Sequence, residues 1–478
     1  MVRIQVFSSF ITQLQINRPM CTTAIPKPAK KQLIISCKRK SFDHYSTTVY
    51  NKLDSIPLAS KGWTHSKAKG DFFVVNPVEN SFEELQFSFQ ELNVDNRFMD
   101  TLKSEGITKA TDFQRRAIET VGTGSHVMLA AETGCGKTLS YLLPIIQKVA
   151  ENKSSGMNAP RAIVVVPNRE LAYQIGEMAE TLGQCLDVKV KIIVGGRTKQ
   201  LMMFPHFEEV DLLVATPGVL SKLSTVGVYK LGEVAHTILD EADTLMDDSF
   251  LEKLTTLINR VPQSQIILVT ATLPRKLPDI LKPFEPTLKY VISPKIHKPL
   301  LNIHQKFLRL THSAKPGYLL QIAKANKSPM LIFSNKNETC NWVSLFLSEN
   351  GVDCANINGD MNYALRIDQW NKFASGKANI LSATDVGSRG LNTIQVRQVL
   401  NYDFPLFAAD YIHRIGRVGR FGSPDACRVT NFLTRHTEIQ LLQQIELAIR
   451  RNEPIENVDG NITKIVQTKI AKKMQRVQ

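Results

Sequence analysis

What most limits the fold of this chain is a repeating alternation of short β-branched runs with helix-length amphipathic stretches. The runs fall at 127–130, 162–166, 188–194, 212–215, 237–240 and 266–270, and, after a break, at 330–333, 353–357, 379–382, 399–402 and 428–432. Strands apolar along their whole length need cover on both faces, and the intervening helices supply it. Right-handed crossovers then make neighbouring strands parallel. The reading is therefore α/β, with two doubly wound parallel-sheet domains in tandem. The break, rich in Pro and Lys over about 284–303, reads as the connection between them, with the linker proper at 291–303. Ligands of such sheets bind beyond the carboxyl ends of the strands, so chemistry is expected just after the runs.

At 478 residues, 43% hydrophobic and 22% charged, the chain is too long for one ordinary core and suits two domains with extensions. Its seven cysteines are widely spaced with no CxxC pair, which favours reduced thiols over a disulfide or zinc framework. No apolar run is long enough to cross a bilayer, so no membrane insertion is expected.

The net charge of +15 is concentrated at the ends. Residues 1–42 carry eight Lys or Arg and no acid, residues 461–478 carry five and no acid, and the remainder is close to neutral at +2. Nucleic-acid binding by the middle must therefore rest on particular groups, not on a bulk basic field. Within the acid-free start, Ile4, Phe7, Ile11 and Leu14 recur at helical spacing between Arg3 and Arg18. That pattern is read as a mitochondrial transit peptide over 1–42, the alternative being a basic tail that touches RNA. Residues 43–85 show no sustained period and read as a weakly ordered extension, and 456–478 as a basic tail.

The run ending at Ala130 leads into Ala131-Glu132-Thr133-Gly134-Cys135-Gly136-Lys137-Thr138 and then a helical stretch. Small residues let the backbone curl with its N–H groups toward phosphate oxygens, and the helix adds its positive end. Lys137 is placed on the β and γ phosphates and Thr138 on Mg²⁺, so ATP and Mg²⁺ are the cofactors implied. A second run ends in Asp240-Glu241-Ala242-Asp243. Asp240 suits Mg²⁺, and Glu241 suits deprotonation of the attacking water.

These motifs, with GITKATDFQ before them and HRIGRVGR (residues 413–420) after, resemble the DEAD-box RNA helicases over residues 87–450. The resemblance implies two RecA-like domains: a helicase ATP-binding domain at 86–290, with an adenine-reading Q motif at 87–115, and a helicase C-terminal domain at 304–455. It implies that Gln114 bonds the adenine edge while Phe89 stacks or packs beside it. It also makes Arg417 and Arg420 arginine fingers, and makes His413 couple the Asp243 segment to the second domain. Thr270-Ala271-Thr272 resembles the family's SAT element, which links hydrolysis to closure.

The same resemblance places RNA backbone on Pro167, Arg169, Gly196, Arg197, Thr216, Pro217, Gly218, Arg366, Thr384 and Gly390, a mode that reads shape and the 2′-hydroxyl instead of sequence. Departures from the family pattern are Asn168 for Thr, Val219 for Arg (one cation fewer near RNA), Ala110 for Pro, and Asn392 for the Asp that meets the ATP ribose. The implied activity is RNA-stimulated ATP hydrolysis coupled to local, non-processive unwinding, with an ATP-gated RNA clamp as the alternative. The likeness is strongest to the mitochondrial branch concerned with large-subunit ribosome assembly. That makes ribosomal RNA and assembly factors the expected partners in the mitochondrial matrix, with nucleus or cytoplasm as the alternative.

Overall fold

The computed structural model describes residues 31–51, 54–78, 86–154, 156–196, 198–385, 393, 395–419 and 426–458. Seven parallel strands form the first domain's sheet, in the order Lys289–Ile292, Val127–Ala130, Gln265–Thr270, His236–Asp240, Ala162–Val165, Leu212–Ala215 and Val190–Ile193. Ala162–Val165, Leu212–Ala215 and Gln265–Thr270 are buried at every position, as apolar runs covered on both faces must be. Lys137–Glu151 and Arg169–Gln184 pack on one face, and Pro217–Thr225 and Asp248–Ile258 on the other. Because the strands ending at Ala130, Thr270 and Asp240 are neighbours, the phosphate loop, the Thr270–Thr272 element and the acids emerge side by side.

The second sheet starts in the same manner, with Cys354–Ile357, Ile380–Thr384, Met330–Ser334, Gln398–Asn401, Arg428–Leu433 and His304–Arg309 parallel. It then continues where no continuation was expected. Phe72–Val75 adds antiparallel to His304–Arg309, Leu33–Cys37 adds to Phe72–Val75, and His44–Tyr45 closes the edge. Phe73 is fully buried and stacks on Phe307 at 4.7 Å, while Trp63 is buried beside it. The buried Glu446 carboxylate accepts from the N–H groups of Ala59 (2.8 Å) and Ser60 (3.0 Å) and from the Ser60 hydroxyl (2.5 Å), and pairs with Arg450.

The expectation of weak order over 43–85 is therefore corrected: residues 54–78 are built into the second domain, and only 79–85 and 52–53 lie outside the described residues. The boundary of the expected leader moves too. Ile35 and Cys37 belong to the core, so removal of residues 1–42 would take away the strand Leu33–Cys37.

The linker is shorter than its composition suggests. Tyr290 to Ile292 pair with Met128 to Ala130 as an edge strand, and Ser293 N–H bonds the Ala130 carbonyl. His297 then serves both domains. Its Nε2 accepts from Leu273 N–H (2.9 Å) and its carbonyl accepts from Ile455 N–H (2.9 Å), while burial lowers its pKa and so keeps the ring neutral for the first bond.

Candidate nucleotide site and RNA face

The phosphate loop closes on Gly136, which caps the helix Lys137–Glu151 at φ +83°. A Cβ there would lie 2.3 Å from Gln114 Nε2, so glycine is required by conformation and by contact. Thr111 and Gln114 form a reciprocal capping box at the start of Asp112–Gly122, which holds the Gln114 amide at the mouth of the loop, 3.5 Å from the Gly136 carbonyl. Lys137 Nζ folds over the loop onto the carbonyls of Ala131 and Glu132, both at 2.7 Å. A triphosphate would compete with these carbonyls for the ammonium. Phe89 is 2% exposed and packed in the first domain's core with Phe98 and Ala110, which suits the packed mode of the two expected, not the stacked one.

Asp240 is buried, accepts from the Tyr141 hydroxyl (2.8 Å) and from Glu241 N–H (2.8 Å). Burial pushes its pKa up to about 6, opposed by the Tyr141 bond and reinforced by the Glu241 charge. The Tyr141 phenol, which the sequence reading missed, thus donates to one of the two residues expected to hold Mg²⁺. Glu241 sits at φ +49°, ψ +49°, a left-handed conformation that costs a non-glycine residue energy. Its buried Oε2 has no hydrogen-bond partner among the described residues. A desolvated aspartate and an unpaired carboxylate oxygen beside a phosphate loop fit a cation with its hydration water, since a buried charge without a partner is otherwise costly.

The acids also meet the second domain. Asp243 accepts from the Thr272 hydroxyl (2.6 Å) and N–H (3.2 Å) and lies 3.4 Å from His413 Nε2. Burial alone would raise its pKa, yet His413, Thr272 and Thr244 N–H together hold it well below the usual carboxylate range. Thr270 bonds the Thr272 carbonyl and orders that turn. One turn beyond His413 in the same segment, Gly416 receives the Thr133 hydroxyl on its carbonyl (3.0 Å). The second domain's arginine loop therefore touches the phosphate loop, with the buried Arg417 next along the chain. Arg414, not singled out from the sequence, is internal. It forms a bidentate pair with Asp385 and bonds Asn335 and the Asp403 carbonyl.

On the other side of the cleft, Asn168 caps Arg169–Gln184 by accepting from Leu171 N–H (2.9 Å). Both Asn and Thr are good caps, which accounts for the departure at 168. Pro167 ends the preceding strand's exit, and Arg169 lies against the Gly195-Gly196 turn. Glu170 pairs with Arg366 across the domains at 2.9 Å. Thr216 and Pro217 start the helix Pro217–Thr225. Val219 is buried, but the stem of Lys253 runs 3.8 Å from where a Gly218 Cβ would stand, which brings a cation back to this corner. Thr384 ends its strand, buried, on the second domain. Arg197, Gly390, Asn392 and Arg420 lie outside the described residues. No helix among the described residues is long and apolar enough to cross a membrane.

Tandem parallel sheets with a phosphate loop in one and a basic loop from the other laid against it define a two-domain ATPase of the RecA-like type. Residues 111–280 match the DEAD/DEAH box helicase family and residues 314–422 the helicase conserved C-terminal domain. The chain is 34% identical over 466 residues to the probable ATP-dependent RNA helicase DDX28 of Mus musculus, covering 90% of this chain and 86% of that protein. It is 31% identical to the ATP-dependent rRNA helicase RRP3 of Yarrowia lipolytica over 71% of each chain. Its fold matches that of S. cerevisiae Dbp5 bound to RNA and ADP BeF3, with TM-score 0.65 and 23% identity over 80% of this chain and 99% of that one. The chain belongs to the DEAD-box ATP-dependent RNA helicases, enzymes that hydrolyse ATP and act on RNA.

Proposed function

We propose that this helicase closes its two domains on ATP and RNA together, bends one strand so that a bound duplex loses local base pairs, and resets on hydrolysis and product release. The observation that carries the reading is the Asp243 carboxylate, bonded at once to Thr272 of its own domain and to His413 of the other. A single buried charge shared across the cleft ties the catalytic acids to domain closure. Within that scheme Gln114 reads adenine, Lys137 neutralises phosphate charge, and Thr138 and Asp240 hold Mg²⁺, which shields the β and γ phosphates when bound. Glu241 takes the proton of the attacking water, and Arg417 and Arg420 stabilise the charge that develops. Asn392 meets the ribose, without the charge an acid would bring.

The leader-like start supports action in the mitochondrial matrix, and the rRNA helicase among the relatives supports ribosomal RNA, with ribosome assembly factors, as the setting. Glu241→Gln is expected to keep ATP and RNA bound while turnover falls by about 10²–10⁴. Near-normal turnover with saturating RNA would remove Glu241 from this role. Strand displacement by the parent enzyme separates unwinding from clamping, since RNA-stimulated ATPase without displacement means a clamp. A reporter carrying residues 1–32 is expected in mitochondria, and one that stays in the cytosol or nucleus overturns the localisation.

A further inference from the structure

Opposite the nucleotide, the two domains touch through a small group of side chains. Tyr363 is the first residue of the helix Tyr363–Ala374, whose start is fixed by Asn362 accepting from Leu365 N–H at 2.9 Å. Its ring stacks on Tyr173 of the first domain, with centroids 6.2 Å apart and planes 20° from parallel. The guanidinium of Arg169 lies 4.9 Å from the same ring's centroid. Arg169 is also held from its own domain: a Cβ on Gly196, which sits at φ +109°, would be 3.2 Å from its Nη1, and one on Gly195 would be 3.5 Å from its Nη2. Three residues further along the second-domain helix, on the same face, Arg366 pairs with Glu170.

We propose that Tyr363 is a positioning residue for RNA: with Tyr173 it forms an aromatic clasp across the cleft that sets Arg169 against the Gly195-Gly196 turn only when the domains are closed. This rests on the reading of Arg169 and Gly196 as RNA-backbone contacts.

The chemistry of the contact favours this role. An arginine stacked on an aromatic face gives up none of its N–H donors, because these lie in the guanidinium plane and point outward, where a phosphate can take two of them. A carboxylate partner would consume the same donors. Here the neighbouring carboxylate, Glu170, is already paired with Arg366, so it does not draw Arg169 away. The seam is otherwise open: a cleft of about 330 Å³ lined by Glu177, Ile367, Trp370 and Asn371 runs beside the rings. The rings and the ion pair therefore bridge a gap that side-chain packing does not fill. Both tyrosines are supplied by helices that separate when the domains part, so the clasp exists in the closed arrangement alone and links RNA grip to closure.

The test uses the full chain with Tyr363→Ala, Tyr363→Phe, Tyr173→Ala and Arg169→Gln. RNA affinity is measured with a non-hydrolysable ATP analogue and without nucleotide, beside the RNA dependence of ATPase activity. Tyr363→Ala and Tyr173→Ala are expected to weaken RNA binding roughly three- to tenfold in the analogue-bound state. They should raise the RNA concentration for half-maximal ATPase by a similar factor and leave nucleotide-free affinity unchanged, while Tyr363→Phe behaves as the parent. Equal losses with and without nucleotide would mean a merely structural role and overturn the clasp. Parent-like RNA binding in Tyr363→Ala, with Arg169→Gln impaired, would also overturn it. Parent-like binding in Arg169→Gln would instead remove the RNA-track reading beneath it.

Discussion

The first sheet runs from Lys289–Ile292 at one edge to Val190–Ile193 at the other, and all its strands come from one continuous stretch of chain. The second runs in parallel from Cys354–Ile357 as far as His304–Arg309, and there it borrows three antiparallel strands from residues that precede the first domain. An uncovered edge strand presents unpaired N–H and C=O groups, and the borrowed strands remove that liability from His304–Arg309. The difference shows that domain boundaries in sequence and in space need not coincide. The chain crosses between domains twice, and Val78 N–H bonds the Leu301 carbonyl (2.8 Å), so the first crossing leaves alongside the end of the second.

The comparison is most severely tested by removing residues 1–78. The second domain then loses Trp63, Phe73 and the cover of its edge, and its cooperative unfolding transition is expected to disappear while the first domain still binds ATP. Hydrogen exchange resolved by segment would show this; an unchanged second domain would reduce the extension to a surface decoration. A single-site version is Glu446→Gln. Breaking a fully buried ion pair costs about 3–5 kcal/mol, and Gln retains one acceptor, so a loss near the lower figure is expected in the second domain alone. Protease cutting within 33–75 is the readout, and parent-like resistance would contradict the role given to Glu446.

Gly416→Ala leaves each domain intact and acts on their meeting. Its Cβ would stand 1.7 Å from Thr133 Oγ1 and 2.9 Å from Thr133 Cβ in the other domain, so closure must shift at a cost of about 1–3 kcal/mol. RNA-stimulated turnover is expected to fall about tenfold without change in either domain's stability, and Thr133→Ala in the same chain should restore part of it only if the clash is steric. Equal melting and equal turnover would mean that the two loops do not meet.

The smallest effect is one of pH. Burial holds His44 in the extension and His236 in the first domain down at about 4. For a histidine whose folded pKa is lowered, the unfolded chain takes the proton first. Stability is therefore full above about 6.5 and declines as pH falls toward 4. Acid should weaken both domains, and His44→Gln should remove the share of the second only, as seen in the pH dependence of its melting. An identical profile in that variant would assign the sensitivity elsewhere.

Both sheets were legible because parallel strands buried on two faces read as unbroken apolar runs, and the phosphate loop and acids were legible because such sheets place chemistry at strand ends. The borrowed strands were not. Leu33–Cys37 lies in a basic stretch that also fits a leader, and Phe72–Val75 finds its partner at Gln305–Leu308, a pairing no local period reveals. Lys289–Ile292 was hidden by the Pro and Lys around it. In the site, Tyr141 and Tyr363 sit at helical positions where an aromatic residue reads as ordinary packing. His297 carries no local signal, since its two bonds reach Leu273 and Ile455.

The pairing of Phe72–Val75 with His304–Arg309 also sets an order of events during synthesis. The extension leaves the ribosome first, but the strand it needs follows more than two hundred residues later, roughly 10–50 s at ordinary elongation rates. Throughout that interval the first domain can fold, whereas residues 31–78 can pair only with one another and have no second-domain strand to dock on. A nascent chain whose first strands stay undocked until His304–Arg309 is made keeps its beginning accessible, and any signal upstream of Leu33 can be read before the enzyme closes over its own N-terminal strands.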